Sequence, residues 1–309
     1  MFCGGRLDCA LGVEAGMRLP CISVVIPSYN QARFIRRTLQ SVIAQGYPEI
    51  EVIVVDGGST DGSWEIIKSF TAHTAYAVSE KDRGQSHAIN KGFSRASGEV
   101  VTWLNSDDVL LPGALHAVAR VLTAAPAARW ITGSCVWIDS DDRILRATVN
   151  PGWNRFGAMG RVMSVGGPSS FMARSLLDSF GMLDEDLHYS MDTELWTRLA
   201  TRGIRYESTG TYLWGLRLHP AAKMSGHNFA ESPLADPNHP SHATRAAEQM
   251  AIRKRHGLPV RDAWPAYLGD KLHRASSGSV IRSAIDTFRV RGMTLSQASA
   301  LLNRRSAPP

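Results

Sequence analysis

The fold of this chain is decided by the stretch VVTWLNSDD at residues 100–108. Its first five residues are uncharged and include β-branched residues and a tryptophan, which predicts a buried strand. Two adjacent carboxylates, Asp107 and Asp108, follow where that strand ends. Buried carboxylates are costly unless a cation neutralises them, and ligands bind at the carboxyl ends of strands in open α/β sheets. The stretch therefore predicts either a divalent metal site or a helix N-cap at Asp108.

Strands and helices alternate around this stretch. In its first part the chain predicts strands at residues 21–26, 50–55, 76–79 and 100–104, and helices at residues 32–45, 63–70 and 85–96. Short connections between such elements favour a parallel sheet covered by helices on both faces. The later part predicts a hairpin at residues 130–149, strands at 169–173 and 211–218, and helices at 175–180, 192–201, 243–255 and 279–291. The predicted fold class is α/β with a helical C-terminal extension.

Composition limits the class of protein. The chain has 309 residues, of which 44% are hydrophobic, enough for one large α/β domain with additions. No apolar run reaches the roughly 18 residues that a membrane-spanning helix needs. The four cysteines lack metal-ligand spacing, which indicates a reducing cytoplasm without a disulfide framework.

Positive charge is concentrated near the C-terminus. Residues 241–309 contain twelve Lys or Arg and four Asp or Glu, whereas the whole chain has a net charge of +6. No nucleic-acid-binding motif accompanies this charge, so no nucleic acid partner is expected. The predicted helix at residues 279–291 is amphipathic, with Ile281, Ala284, Ile285 and Phe288 on one face. We expect peripheral docking at the anionic inner face of the cell membrane, or else a core-packing helix or a dimer contact.

The first twenty residues predict a leader outside the folded part. They lack the apolar core of a signal peptide, and Met17 directly precedes the first strand. We hypothesise that translation starts at Met17, which an intact mass beginning at Met1 would contradict. Residues 230–242 predict a loop or linker, so the chain divides into a leader (1–20), a nucleotide-binding domain (21–229) and a basic helical extension (230–309).

Several polar residues follow predicted strands and are candidates for ligand binding. No dinucleotide-binding glycine motif and no P-loop is present, so a nucleotide would be held differently. Asp56 ends the second strand and could accept a hydrogen bond from a base or a ribose, although turn chemistry explains an Asp-Gly pair equally well. Asn90 and Lys91 could meet a nucleotide or phosphate, or form a solvated helix face.

Four further positions suit metal and transfer chemistry. Asp192 lies at a predicted helix start, where it is either a general base or an N-cap. His219 could be an extra metal ligand, and Arg217 or Lys223 could hold a diphosphate. The alternative is a loop histidine between solvated cations. Mg²⁺ or Mn²⁺ would suit these oxygen-rich ligands.

Four segments together resemble the family 2 glycosyltransferases. They are, in chain order, VVIPSYN at residues 24–30, VVDGGSTDGS at 54–63, DRGQSHAINKG at 82–92 and WLNSDD at 103–108. Weaker likeness extends to MDTELW at residues 191–196 and HPAAK at 219–223, so the resemblance covers residues 21–225. It implies a GT-A-type nucleotide-binding sheet with flanking helices, and an inverting, metal-dependent sugar transfer.

The resemblance also implies roles for individual residues. Asp192 would be the catalytic base, and Asp107 with His219 would hold Mn²⁺ or Mg²⁺. Lower-ranked positions for the diphosphate are Asp108, Arg217 and Lys223. The implied nucleotide-binding residues are Pro27, Tyr29, Asp56, Gln85, Asn90, Asn105 and Ser106.

The chain departs from the family pattern at two positions. Asn105 stands where the first acid of the usual Asp-x-Asp motif is found, and Ile89 stands where many members have an arginine. The Gln-x-x-Arg-Trp motif is absent, which speaks against a processive polysaccharide synthase. Transfer of one or a few sugars is therefore expected.

The implied partners are a nucleotide-sugar donor and a saccharide or lipid-linked acceptor, within cell-surface polysaccharide synthesis. Two other functions stay open. One is a non-catalytic sugar-nucleotide-binding subunit, and the other is a nucleotidyltransferase that makes sugar nucleotides. A nucleotidyltransferase usually carries a glycine-rich basic loop after its first strand, and residues 28–31 are not such a loop.

Overall fold

A computed structural model describes the protein over residues 19–154, 157, 167–223, 241–259 and 264–303. Residues 1–18 of the predicted leader and residues 230–240 of the predicted linker lie outside this part of the chain.

The strands form a single mixed sheet. Their bounds are β1 Ile22–Ser28, β2 Ile50–Asp56, β3 Tyr76–Ser79, β4 Val100–Trp103, β5 Val109–Leu110, β6 Trp130–Ile138, β7 Ile144–Thr148, β8 Phe171–Ala173 and β9 Glu207–Arg217. The order is β3-β2-β1-β4-β8-β6-β9-β5, with β7 paired to β6. The predicted strands are confirmed, and the short strand β5 was not predicted.

Helices cover this sheet. Their bounds are α1 Ile35–Ile43, α2 Ser63–Lys68, α3 Gln85–Arg95, α4 Ala114–Ala124, α5 Arg174–Phe180, α6 Met191–Thr201, α7 Ser241–Arg255, α8 Trp264–Ser276, α9 Ser279–Val290 and α10 Leu295–Asn303. Helices α8 and α10 were not predicted.

The prediction of a parallel sheet holds for only some of the strand pairs, among them β6 with β9. Strands β3, β2, β1 and β4 are parallel neighbours. Strand β8 then pairs antiparallel with both β4 and β6, and β5 pairs antiparallel with β9. Antiparallel strands can be joined by a short turn, as in the hairpin β6–β7, whereas parallel strands require long crossovers.

The alternating side chains of β1 explain why both faces of the sheet are covered. Ile22, Val24 and Ile26 pack in one buried cluster with residues of α1 and α4. Val25 points to the other face, where it joins a cluster with residues of α3 and α6. Successive residues of a strand point to opposite faces, so a strand buried on both faces is apolar throughout.

The C-terminal helices α9 and α10 pack on the far part of the sheet. Val290, Leu295 and Ala298 are buried in a third cluster with residues of β6 and β7. The contact of α9 is largely polar, because the hydroxyls of Ser283 and Thr287 accept hydrogen bonds from backbone amides of residues 149 and 147 at 2.9 and 3.0 Å. The extension is thus attached to the sheet.

The predicted apolar face of α9 therefore points to solvent. Phe288 is 90% exposed and Ile281 is 65% exposed, and Ile285 is also exposed. The alternative that this face packs in the core is wrong, because the serine and threonine face of the helix occupies the contact with β7. In the described part of the chain, no helix has the length and hydropathy needed to cross a membrane.

The packing of α3 on β1 generates a prediction about Gly92. A Cβ built at this position would lie 2.2 Å from Val25 Cγ1. We expect Gly92→Ala to lower the free energy of unfolding by roughly 1–3 kcal/mol, the usual cost of overpacking. Helix propensity alone would give the opposite sign, a gain of about 1 kcal/mol. Urea denaturation measures the difference.

The matched control is the same substitution in a Val25→Ala background. Removing the two Val25 methyl groups makes room for the new Cβ, so the penalty of Gly92→Ala should shrink there. An alanine variant as stable as the wild-type chain would contradict the packing described here.

Candidate active site

The candidate site is organised around the buried carboxylate of Asp108. Its Oδ1 accepts a hydrogen bond from the backbone N–H of Arg217 at 2.8 Å, and its Oδ2 accepts one from Asn105 Nδ2 at 3.0 Å. Burial, followed by the neighbouring Asp107 charge, raises the pKa of Asp108 well above its ordinary value. Asp108 thus joins the loop after β4 to the end of β9. It does not cap a helix, since β5 follows it and α4 begins at Ala114.

This connection brings two predicted metal ligands together. Asp107 Oδ2 lies 3.1 Å from His219 Nε2, and the Asp107 side chain remains 17% exposed. The described residues contain no group of three or more His, Cys, Asp or Glu that could hold a metal ion. A carboxylate and an imidazole suit Mn²⁺, which would take its other ligands from a diphosphate and from water. The donor set therefore fits a metal that is held jointly with a substrate.

Arg217 is occupied by the protein, which corrects its predicted diphosphate contact. Its guanidinium nitrogens donate to the carbonyl oxygens of Asp107 and Asp139 at 2.7 and 2.8 Å and to Asp142 Oδ1 at 2.5 Å. The guanidinium also lies over the Phe34 ring, 4.9 Å from its centroid. Because the side chain is buried and all its nitrogens have protein partners, Arg217 holds the loop of Asp107 in position.

A chain of hydrogen bonds extends from Asp108 to a buried lysine. Gln85 Nε2 donates to Asn105 Oδ1 at 2.8 Å, and Lys223 Nζ donates to Gln85 Oε1 at 3.1 Å. Burial lowers the pKa of Lys223 to about 8. The chain connects the start of α3 with the loops after β4 and β9, and it leaves a cation beside the site near neutral pH.

The predicted nucleoside-binding residues lie at the adjacent ends of β1 and β2. Ser28 is paired with Asp56, and Pro27 with Val55. Asp56 is fully buried, and its carboxylate accepts hydrogen bonds from the amides of Gly58 and Ser59 and from the Ser59 and Ser79 hydroxyls, at 2.5–3.2 Å. Asp56 therefore has the turn role that the sequence left open.

An open surface lies next to Asp56. Tyr29 is 62% exposed, and a Cβ at Gly57 would lie 3.3 Å from its ring and 2.6 Å from an Asp82 carboxylate oxygen. Glycine is thus required where Tyr29 and Asp82 meet. An exposed aromatic ring can stack on a base, and a carboxylate beside it can accept hydrogen bonds from the N–H groups of that base. Sequence reasoning missed Asp82, although it follows β3 at the same edge of the sheet.

Ser106 and Asn90 form hydrogen bonds that connect elements of the fold. The Thr38 hydroxyl donates to the carbonyl oxygen of Ser106 at 2.9 Å. Asn90 exchanges hydrogen bonds with the backbone of Leu183 and donates to Glu185 Oε1, at 2.9–3.0 Å. The predicted nucleotide contact of Asn90 is therefore corrected, because its amide connects α3 to the turn before α6. Lys91 forms an ion pair with Glu80.

Asp192 is the second residue of α6. Its Oδ1 accepts hydrogen bonds from the amide and hydroxyl of Thr193 at 2.6 and 3.2 Å. The alternative of an N-cap is wrong, because Ser190 occupies the N-cap position. Burial raises the pKa of Asp192, whereas the charges of Arg245 and Lys223 act in the opposite direction. A carboxylate with a raised pKa is a suitable proton acceptor.

Helix α6 is fixed to the strand that leads into the site. The Trp196 ring stacks on Trp103 of β4 at 5.6 Å and on Trp130 of β6 at 5.0 Å. Asp192 thus belongs to a helix that is packed directly against the strand before Asp107.

Known proteins are similar to the first part of the chain. Residues 23–129 match the family described as Glycosyl transferase family 2. An uncharacterized glycosyltransferase of Nostoc sp. (strain PCC 7120) is 40% identical over 103 residues, which are 32% of this chain and 32% of that protein. A putative teichuronic acid biosynthesis glycosyltransferase, TuaG of Bacillus subtilis, is 39% identical over 94 residues, 29% of this chain and 36% of TuaG. The matches therefore span about a third of these relatives.

Solved structures share the fold over most of the chain. The mannosyltransferase PcManGT of Pyrobaculum calidifontis, solved with GDP-Man and Mn²⁺, has a TM-score of 0.54 at 21% identity over 93% of this chain and 82% of that chain. S. aureus TarS 1-349 with UDP-GlcNAc has a TM-score of 0.53 at 18% identity over 91% and 86%. The GT-A-type fold predicted from the sequence motifs is confirmed.

The contact between Asn105 and Asp108 explains the departure from the usual acidic motif and generates a prediction. Asn105→Asp would put a second carboxylate against buried Asp108 in place of the donated hydrogen bond. We expect a loss of roughly 1–3 kcal/mol in the free energy of unfolding at pH 8. The pKa of the new carboxyl would be raised in the folded chain, so unfolding releases protons and stability falls as pH rises. Denaturant unfolding at pH 5.5 and pH 8 measures this.

Asn105→Ala is the control, because it removes the same hydrogen bond without adding a charge. Its loss of stability should change little between the two pH values. Equal pH dependence in both variants would contradict the proposed charge conflict.

Proposed function

We propose that this chain, whose residues 23–129 form a family 2 glycosyltransferase domain, transfers a sugar from a nucleotide-sugar donor to a hydroxyl group of a saccharide or lipid-linked acceptor. The transfer would be inverting, depend on a divalent metal and serve cell-surface polysaccharide synthesis. The observation that carries this proposal is the close pair of Asp107 and His219 together with Lys223, which bonds Gln85 beside the Asp107 loop and whose charge acts on Asp192.

The donor nucleoside would bind over the ends of β1 and β2. Tyr29 would stack on the base, and the carboxylate of Asp82 would accept hydrogen bonds from the base or the ribose, while buried Asp56 holds the adjoining loop in place. The diphosphate would then extend toward Asn105 and Asp107, where Lys223 supplies positive charge. This assignment is supported by the order of these residues along the edge of the sheet.

Asp107 and His219 would hold Mn²⁺ or Mg²⁺, which when bound stabilises the charge of the departing nucleoside diphosphate. Asp108 and Arg217 keep the two ligands close. Lys223, held by Gln85, would add a second positive charge near the leaving group.

Asp192 would take the proton from the acceptor hydroxyl. As that oxygen forms a bond to the anomeric carbon, the bond between this carbon and the diphosphate oxygen breaks, and its electron pair leaves with the nucleoside diphosphate. Attack opposite to the leaving group inverts the anomeric centre through an oxocarbenium-like transition state. The raised pKa of Asp192 suits this proton transfer.

The mechanism predicts different losses for two alanine variants. Asp107→Ala should abolish metal-dependent transfer, because it removes the carboxylate ligand. Asp192→Ala should lower kcat by roughly 10²–10⁴-fold, the usual contribution of a general base, while donor binding is unchanged. A thermal-shift screen of UDP-, GDP- and dTDP-sugars with Mn²⁺ identifies the donor, and release of nucleoside diphosphate measures turnover.

Each variant serves as the control for the other. Asp192→Ala should keep the Mn²⁺-dependent thermal shift with the donor, and Asp107→Ala should lose it. Normal turnover of Asp192→Ala would remove this residue from the mechanism. Donor binding without any release of nucleoside diphosphate by the wild-type chain would favour a non-catalytic binding subunit.

The exposed face of α9 supports docking on an anionic membrane, where a lipid-linked acceptor would lie. Ile281, Ile285 and Phe288 present apolar surface, and Arg282 and Arg289 on the same helix are exposed. Such a combination suits a helix that inserts apolar side chains between anionic headgroups. The polar contact of α9 with β7 leaves this apolar face available.

Vesicle binding tests this docking. Ile281→Asp combined with Phe288→Asp should weaken binding of the full chain to vesicles of phosphatidylglycerol and phosphatidylcholine by at least about tenfold, because each side chain would lose burial of roughly 1.5–3 kcal/mol. Point variants are preferable to deletion of α9 and α10, since Val290, Leu295 and Ala298 belong to the core.

Met250→Asp is the control, since it changes an exposed apolar residue on α7. It should bind vesicles as the wild-type chain does. Equal binding by the Ile281 and Phe288 double variant would argue against membrane docking through α9.

A further inference from the structure

The basic extension contributes one carboxylate to the neighbourhood of Asp192. Glu248 is the only acidic residue of α7. Its Oε1 accepts a hydrogen bond from the amide of His188 at 2.7 Å, and its Oε2 accepts from the amides of Tyr189 and Ser190 at 3.0 and 2.8 Å. Three successive backbone amides immediately before α6 therefore point at one side chain that lies some sixty positions later in the chain.

Helix α6 depends on this carboxylate because its own cap residue does not satisfy its start. Ser190 makes no side-chain capping bond, and its buried hydroxyl has no hydrogen-bond partner among the described residues. The amides at a helix start need acceptors, and a negative charge there is favourable toward the helix dipole. Glu248, from another helix, accepts from the amide of the N-cap residue Ser190 and places a negative charge beside the first turn.

Further contacts fix α7 in the position that this role requires. Ile252 is buried in the cluster that includes Met191 and Leu195 of α6. Arg255 forms an ion pair with Asp184 at 2.6 Å, and His256 Nε2 lies 2.9 Å from Glu194 Oε1. These contacts therefore hold α7 on both sides of residues 188–190: at Asp184 before them, and at Glu194 in α6 after them.

We propose that Glu248 is a positioning residue for Asp192, which makes α7 part of the catalytic unit. By holding residues 188–190, it fixes the first turn of α6 and so the direction of the Asp192 carboxylate. This inference rests on the proposed role of Asp192 as the base. It assigns the extension a function in catalysis that is separate from membrane docking through α9.

The charges around Asp192 agree with this arrangement. Lys223, from the loop after β9, and Arg245, from α7, both favour the charged form of the Asp192 carboxyl, whose pKa burial raises. Glu248 faces Lys223 as well, and it favours the protonated form of that lysine. His188, whose amide donates to Glu248, has a pKa lowered by burial and by the charge of Lys223. The extension therefore supplies two groups to the start of α6: the acceptor Glu248 and the positively charged Arg245.

The test compares Glu248→Ala and Glu248→Gln in the full chain. We expect Glu248→Ala to lower kcat roughly 10- to 100-fold while KM for the donor stays within about twofold, since misplacement of a catalytic group by 1 Å has effects of this size. Glu248→Gln, which keeps an acceptor oxygen, should lie between. The assay is release of nucleoside diphosphate from the donor identified by the thermal-shift screen.

A double-variant cycle separates positioning from general stability. In an Asp192→Asn background, Glu248→Ala should produce no further loss of kcat, because its effect passes through Asp192. Glu65→Gln is the matched control, since this glutamate is exposed on α2 and forms an exposed ion pair with Lys68 at 3.4 Å. It should leave kcat unchanged in both backgrounds.

Amide hydrogen exchange tests, without any substrate, whether Glu248 binds the amides of residues 188–190. Residues 188–190 should exchange at least roughly tenfold faster in Glu248→Ala, because their amides lose a charged acceptor. Unchanged exchange, an unchanged kcat, or fully additive losses in the double variant would overturn the inference. If the wild-type chain turns over no donor, the proposed function fails, and exchange still decides whether Glu248 holds this segment.

Discussion

The buried carboxylate of Asp108 is the contact on which the candidate site depends. A carboxylate without solvent is tolerated only when its oxygens have donors, and here the backbone of Arg217 and the amide of Asn105 provide them. The contact joins the loop after β4 to the end of β9, although the two are more than a hundred positions apart in the chain. Together with the pairing of β5 and β9 and the bond from Arg217 Nε to the Asp107 carbonyl, this junction brings Asp107 and His219 to 3.1 Å.

Asp107, the acid next to Asp108, has a different role because its surroundings differ. Asp107 keeps part of its side chain exposed, while Asp108 is buried. One carboxylate is thus free to meet a ligand, and the other holds the loop. Asn105 belongs to the same arrangement: an amide can donate to Asp108, whereas a second acid would repel it. The departure from the usual acidic motif is therefore compensated within the structure.

Much of the fold could be predicted from patterns within short windows. The strand periodicity of residues 22–28 and 50–56, the helical spacing of α1 and α3 and the hairpin of β6 and β7 all follow from local side-chain order. The four motif segments also gave the GT-A-type fold correctly. Helices α8 and α10 were not predicted, and the antiparallel pairing of β8 was missed because three residues carry little pattern.

Individual side-chain roles were less accessible from sequence. Arg217 and Asn90 have the residue types expected of phosphate and nucleotide contacts. The polar atoms of both side chains, however, already form hydrogen bonds with other groups of the protein. Residue type states what a group can do, and only its neighbours decide whether it remains available. Glu248 gives the converse case: nothing near it in the sequence marks it, because its three partners belong to a distant loop.

The sequence by itself determined the alternation of strands and helices, the location of the carboxylates at strand ends and the amphipathic character of α9, because these depend on the order of neighbouring residues. The tertiary structure decided which carboxylate is buried, which cations are free and which face of α9 meets the sheet. It turned the serine and threonine face of α9 inward and left Phe288 outside. Such choices depend on hydrogen-bond partners from distant segments, which no local pattern records.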